Sequence, residues 1–333
     1  MQSLVCIEPH KLVLKEVEEA VVPEGWVPLD ILRVGICGTD YHIFSGTQPY
    51  LSYPRVMGHE VSARVAQSYT GTDFKPGDLV VVNPYITCGA CRACSVNRPN
   101  CCENISVVGV HADGAMADRF AMPASNLIKG DGLTADQAAM VEFLAIGRHA
   151  VARSQIKQGE KALVVGGGPI GLAAALFARL AGGDVTVADM SDDKLDLLQR
   201  DFGLNTLDAK DQALMDAQEI SYDKVYDATG HIGAMNNALR YVGHAGTYTL
   251  VSVVKGDLQF ADPEFHKRET TLLASRNALA ADFEYVVDAI VQGKIDTDKL
   301  GTHRTNFAKA PEDIKDWAQD RDKVIKALIE VAS

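Results

Sequence analysis

The sequence predicts an α/β protein of two domains, a β-rich first part followed by a doubly wound parallel sheet, and three observations carry that expectation. The chain has 333 residues, 47% of them hydrophobic, enough for two cores at the usual ~100–200 residues per domain. Up to about residue 145 the segments are short and β-branched. They are broken by the turn signals Gly35, Gly38, Gly46, Gly58, Lys75-Pro76-Gly77-Asp78, Gly109 and Asp113-Gly114, as in a β-rich domain with long loops. From about Gln158 the pattern becomes strand, glycine turn, helix, strand.

In the second part Lys161–Val165 reads as a buried strand, Pro169–Leu180 as a helix, Asp184–Asp189 as a second strand, and Ser191–Asp201 as a helix opened by a serine cap. Strands are expected at Lys224–Ala228, Gly246–Ser252 and Thr271–Ala274, with helices at Ile232–Val242 and Asp282–Gln292 between and after them. This alternation implies a parallel sheet. An extended piece follows at Thr302–Phe307, and periodicity leaves Lys323–Glu330 open between strand and helix.

Composition excludes several classes of function. Forty-four acidic against 32 basic residues give a net charge of −12 with no basic tract, which argues against nucleic-acid and anionic-membrane partners. Met1–Glu19 alternates apolar and polar residues without a signal-peptide pattern. Pro169–Leu180, the most apolar helical stretch, is well short of the ~20 residues of a membrane span. A cytoplasmic location is the expectation.

Gly166-Gly167-Gly168-Pro169-Ile170-Gly171 fits G-x-G-x-x-G, a weak signal alone. Its context makes it strong, because it follows an apolar strand, opens a helix, and precedes Asp189 at the end of the next strand. Gly166 allows the tight turn, Gly168 lets backbone approach a pyrophosphate, and Gly171 lets helix pack on strand, while the helix N-terminus stabilises phosphate charge. Asp189 would bind the adenosine ribose diol and repel a 2′-phosphate, so NAD is favoured over NADP. Lys194 joins Pro169 and Ile170 among the expected cofactor contacts. A glycine turn with no ligand is the competing reading.

Five of seven cysteines, Cys88, Cys91, Cys94, Cys101 and Cys102, fall within 15 positions. In a reduced protein such a cluster reads as metal before disulfide. Cys88, Cys91, Cys94 and Cys102 offer four thiolates from one loop, a closed tetrahedral shell and hence a structural zinc. Cys101 is read as a spectator that could exchange with Cys102. Cys37 in Cys37-Gly38-Thr39-Asp40-Tyr41-His42, His59 in Gly58-His59-Glu60, and Glu142 are each ambiguous singly, since buried cysteines and hydrogen-bonded His-Glu pairs are common.

Taken together, these motifs resemble the zinc-dependent medium-chain alcohol and polyol dehydrogenases, in their sorbitol dehydrogenase-like branch, over nearly the whole length. The resemblance implies a GroES-like catalytic domain at 1–147, completed by 280–333, and a Rossmann NAD-binding domain at 148–279. It implies a catalytic zinc on Cys37, His59 and Glu142, with Glu60 as a further ligand or exchanging neighbour, and therefore two zinc ions per chain. Ala63 and Phe143 depart from the family's usual glycine and proline. Longer stretches around Gln48–Glu60, Val107–Gly114 and Asp262–Thr271 resemble hexonate 5-dehydrogenases. The implied reaction is NAD-dependent oxidation at C5 of L-gulonate or L-galactonate to the ketouronate, with the proton leaving through Thr39 toward His42.

A hexonate carboxylate needs a local cation against the net charge, and Arg55 and Arg276 rank first among candidates that include Arg119, Lys255 and His266. A dehydrogenase of uncharged polyols or of threonine is the alternative within the class, and a non-catalytic NAD-binding sensor the alternative outside it. The family resemblance also implies a homodimer or homotetramer.

Overall fold

A computed structural model describes residues 1–19, 21–48 and 51–332, which divide into two compact units, Met1–Glu142 with Leu279–Ser333, and Phe143–Ala278. Position 147, expected as a boundary, falls within the continuous helix Val141–Ser154.

The main sheet of the first unit runs in the order Leu127–Lys129, Leu79–Val82, Glu60–Val65, Trp26–Ile36, Ala327–Glu330, His303–Asn306, and Arg119–Pro123 also pairs with the long strand Trp26–Ile36. That long strand forms the middle of the unit. Its residues Val27, Leu29, Ile31 and Val34 are fully buried beside Val61, Ala63, Val80, Val82 and Ile329. The sheet is antiparallel except for the parallel pair Ala327–Glu330 and His303–Asn306, and alternation along each strand places one set of side chains inward. Ala63, where the family has glycine, is an ordinary strand residue opposite Ile31. The segment Lys323–Glu330 resolves into a single turn of 3₁₀-helix, Arg321–Lys323, and the strand Ala327–Glu330. Pairing across the sheet, which periodicity does not report, selects the strand. A smaller sheet joins Lys11–Glu16, Gln2–Glu8 and Arg55–Val56.

The second unit is a six-stranded parallel sheet in the order Asn205–Asp208, Asp184–Asp189, Lys161–Val165, Tyr222–Asp227, Val242–Leu250, Thr271–Ala274. In chain order this is 3-2-1-4-5-6, the dinucleotide-binding arrangement. Two expectations shift. The strand expected from Gly246 begins at Val242, and the helix expected to reach Val242 ends at Ala238 before a 3₁₀ turn, Leu239–Tyr241. The strand Asn205–Asp208, too short and polar for the hydrophobic pattern to reveal, pairs in parallel with Thr186–Asp189. Among the described residues no helix is long and apolar enough to cross a membrane.

Candidate active site

In the loop between the paired strands Tyr85–Ile86 and Ser106–Val107, four sulfurs converge. The Sγ separations are 3.5 Å for Cys91–Cys94, 3.9 Å for Cys91–Cys102 and 3.5 Å for Cys88–Cys102. Thiolates ~2.3 Å from a central zinc lie roughly 3.8 Å apart at the corners of a tetrahedron, so the group fits zinc and is far too open for disulfides. All seven cysteines are free thiols. Backbone N–H groups of Ala90 and Cys91 lower the Cys88 thiol to about 6, while burial and the neighbouring Cys91 and Cys102 push Cys94 up to about 12, so the four do not share one charge state without a cation among them. Cys101 is exposed and outside the four-sulfur group, and burial pushes the Cys6 thiol up to about 11.

The second cluster is assembled from distant segments. Cys37 precedes the helix Gly38–Phe44 and His59 precedes the strand Glu60–Val65, and donor atoms of Cys37, His59 and Glu60 lie within 4.8 Å of one another. Glu142, in the first turn of the helix Val141–Ser154, is buried and feels the charges of His59 and Glu60, but it is not one of the three residues whose donors share that 4.8 Å group. Asp40, which the motif reading left without a role, is fully buried and accepts the Cys37 N–H at 2.9 Å. Its other oxygen stands 3.9 Å from His59 Nδ1, and neither atom has a hydrogen-bond partner among the described residues. A carboxylate behind a histidine is the usual outer support of a metal ligand. Burial works against charge on His59, yet Asp40 and Cys37 outweigh it and hold its pKa well above the ordinary value. Burial raises the Glu142 carboxyl to about 7. A pocket of buried anions with orphaned polar atoms is a place for a cation, and the donors present fit zinc.

Lys326 also escaped sequence reasoning. It is 1% exposed, and its Nζ lies 2.6 Å from both oxygens of the fully buried Glu60 and 3.2 Å from Ile36 O. Strand register explains the meeting, because Gly35 pairs with Glu60 and Ile36 pairs with Ala327. A Cβ on Gly35 would stand 2.2 Å from Glu60 Oε2, so the glycine makes room for the carboxylate. Thr39 and His42 share one face of the helix Gly38–Phe44, three residues apart. His42 is exposed and its Nδ1 shares a hydrogen bond with Thr47 Oγ1 at 2.9 Å. Desolvation and the nearby Arg321 charge lower its pKa.

In the second unit the glycine loop takes the form its spacing implies. Gly166 has φ +97°, and a Cβ on Gly171 would stand 1.8 Å from Gly166 O. Gly168 differs, since a Cβ there would meet nothing within 4 Å. No chain atom requires that glycine, and space above the first turn of the helix Pro169–Leu180, which Pro169 and Ile170 begin, fits an approaching pyrophosphate. Asp189 accepts Gly167 N–H at 2.7 Å and Ser191 N–H at 2.9 Å, so the carboxylate also shapes the loop. Ser191 caps by position but makes no side-chain cap bond. Lys194 is half-buried on the helix Asp192–Phe202.

The cations expected for a substrate carboxylate fare differently. Arg55 pairs with Asp113 at 3.1 Å, and Arg119 with Glu19 and Asp30. Those contacts supply their counter-charges and do not support the expected role of Arg55, whose strand joins the small sheet. Arg276 follows the strand Thr271–Ala274 of the second unit.

A thiolate-histidine-carboxylate metal cluster in one unit and a dinucleotide loop in the other define a metal-dependent dehydrogenase. Residues 23–132 match the alcohol dehydrogenase GroES-like domain and residues 169–292 the zinc-binding dehydrogenase domain. The chain belongs to the zinc-binding alcohol dehydrogenases and is an oxidoreductase. It is 42% identical to the L-galactonate-5-dehydrogenase of Escherichia coli K12 over 99% of this chain and 98% of the relative. It is 34% identical to a 2-dehydro-3-deoxy-L-galactonate 5-dehydrogenase of Pseudoalteromonas atlantica over 83% and 84%. An alcohol dehydrogenase of Escherichia coli CFT073, solved with NADH, superposes with a TM-score of 0.92 at 27% identity over 99% of each chain.

Proposed function

We propose that the protein oxidises the C5 hydroxyl of a hexonate, L-galactonate or L-gulonate, to the ketouronate, using NAD and two zinc ions per chain. The chemistry rests on one observation, the convergence of Cys37, His59 and Glu60 beside the buried Glu142. The substrate class is supported by the two relatives named for sugar-acid 5-dehydrogenation. Cys37, His59 and Glu142 would hold the catalytic zinc, with Glu60 a neighbouring donor, and Cys88, Cys91, Cys94 and Cys102 would hold the structural one. Asp189 at the end of its strand, with no arginine in the next four residues, favours NAD over NADP.

When bound, the catalytic zinc lowers the pKa of a coordinating hydroxyl. Thr39 Oγ1 accepts the substrate's hydroxyl proton and passes it on, and His42, neutral at pH 7 because its pKa is lowered, receives it. NAD, held at the glycine loop, would supply the hydride acceptor, so that one hydroxyl would become one carbonyl with NADH and a proton as products. Arg276 is the cation we propose for the substrate carboxylate. Free thiols throughout fit a reducing, cytoplasmic setting, and the family resemblance favours a homodimer or homotetramer.

The test is NADH formation across L-galactonate, L-gulonate, L-idonate, D-mannonate, sorbitol and threonine, with zinc counted on the same sample. Turnover of sorbitol or threonine but of no hexonate overturns the sugar-acid reading. The acid limb of kcat is expected below pH 6.5, the ordinary histidine value, and His42→Gln should remove that limb while lowering kcat by about 10²-fold.

A further inference from the structure

Two buried carboxylates, Glu60 and Glu142, lie beside Cys37 and His59, and their own hydrogen bonds differ. Both oxygens of Glu60 are held at 2.6 Å by Lys326 Nζ. Glu142 is held by one oxygen alone. Its Oε1 accepts the hydroxyl of Tyr85, and its Oε2 is buried with no partner among the described residues. A bare, buried carboxylate oxygen is costly unless something compensates it.

Tyr85 is itself well fixed. It is 6% exposed, its backbone pairs with Val107, its N–H donates to Asn83 Oδ1 at 3.1 Å, and its carbonyl accepts Asn126 Nδ2 at 3.0 Å. The ring meets Phe283 edge to face, with centroids 6.3 Å apart. The strand carrying it leads directly into the four-cysteine loop, and that strand's partner, Ser106–Val107, follows the loop.

We infer that Tyr85 is a positioning residue for the catalytic metal: by occupying Oε1 it leaves Glu142 to bind through the single oxygen Oε2, while Lys326 engages both oxygens of Glu60, whose carboxylate stands beside the Cys37 and His59 donors. Charge supports the division. A Cys37 thiolate and a Glu142 carboxylate neutralise one divalent ion, and Lys326, bonded to both oxygens of Glu60, offsets that carboxylate while its charge also reaches Glu142. Outer partners of this kind orient ligands and set metal affinity. The inference rests on Glu142 being a ligand of the proposed catalytic zinc.

The experiment uses the full chain as wild type, Tyr85→Phe, Glu142→Gln and the double variant. Each is titrated with a chelator while retained zinc is counted, and each is also loaded with Co²⁺ for its d–d spectrum, which reports ligand geometry. Glu142→Gln should lose one zinc. Tyr85→Phe should release the same zinc at about 10–100-fold lower chelator concentration and shift the Co²⁺ bands. The double variant should match Glu142→Gln, because Tyr85 acts through that carboxylate.

Wild-type chelator titration and Co²⁺ bands in Tyr85→Phe, with zinc lost from Glu142→Gln, overturn the inference and leave the metal site standing. Retention of both zincs at wild-type affinity in Glu142→Gln overturns the ligand assignment and the inference with it. Phe283→Leu, which loosens the ring and keeps the hydroxyl, serves if Tyr85→Phe does not fold. It should weaken zinc in the same direction, and an unchanged titration overturns the inference.

Discussion

The four-cysteine loop and the Cys37–His59 centre belong to one structural unit and are built in opposite ways. The loop draws its ligands from 15 consecutive positions and already holds sulfurs 3.5–3.9 Å apart. The other centre collects residues from a helix start, a strand start, a second helix and the residue before a strand near position 330, and among the described residues some of its buried polar atoms have no partner. A site made locally with four identical ligands is closed and stabilises its loop. A site made from distant segments can mix ligands and keep a position open for a reactant.

Separating the two sites by mutation tests that contrast. The largest effect is expected from His59→Ala, which should lower kcat by about 10³-fold, because Lewis-acid stabilisation is worth several kcal/mol. One zinc per chain should remain, in the loop, and loss of both would show that the sites depend on each other. Cys94→Ser should release the loop zinc and lower Tm by on the order of 10 °C. Scanning calorimetry with zinc analysis checks this, and an unchanged Tm would deny the loop its structural role. Gly35→Ala pushes a Cβ into Glu60 and should cost about 1–3 kcal/mol in denaturant unfolding, with weakened retention of the catalytic zinc alone. The smallest effect is expected from Arg55→Ala, whose partner is Asp113: KM for hexonates should stay within a factor of about two. A large rise would return Arg55 to the substrate.

The two sites also differed in how readable they were. Cysteine spacing sufficed for the loop, since ligands close in sequence cannot be far apart in space. The glycine fingerprint was readable for the same reason, being one turn between a strand and a helix. At the second centre, motifs and resemblance pointed to Cys37, His59, Glu60 and Glu142, and the fold brings the donors of the first three within 4.8 Å, whereas Lys326 carried no signal. It is a lysine in an apolar run, 266 positions from Glu60, and becomes a partner only because Ala327 pairs with Ile36 while Glu60 pairs with Gly35. Tyr85 was equally silent, one aromatic in a β-rich segment. Arg55 is the converse case: nearness in sequence to His59 suggested a substrate cation, and the fold sets it against Asp113.

The sequence by itself determined the two-part α/β architecture, the four-thiolate site and the nucleotide loop. Each is encoded by periodicity or short spacing, where a few backbone torsions fix the geometry. Only the tertiary structure decided which buried carboxylate keeps an oxygen free and which charge neutralises the other. The Glu60–Lys326 pairing depends on strand register, Gly35 against Glu60 and Ile36 against Ala327, and a shift of one residue would turn Glu60 to the opposite face; Glu142 meets Tyr85 because a helix start packs against a separate two-stranded sheet.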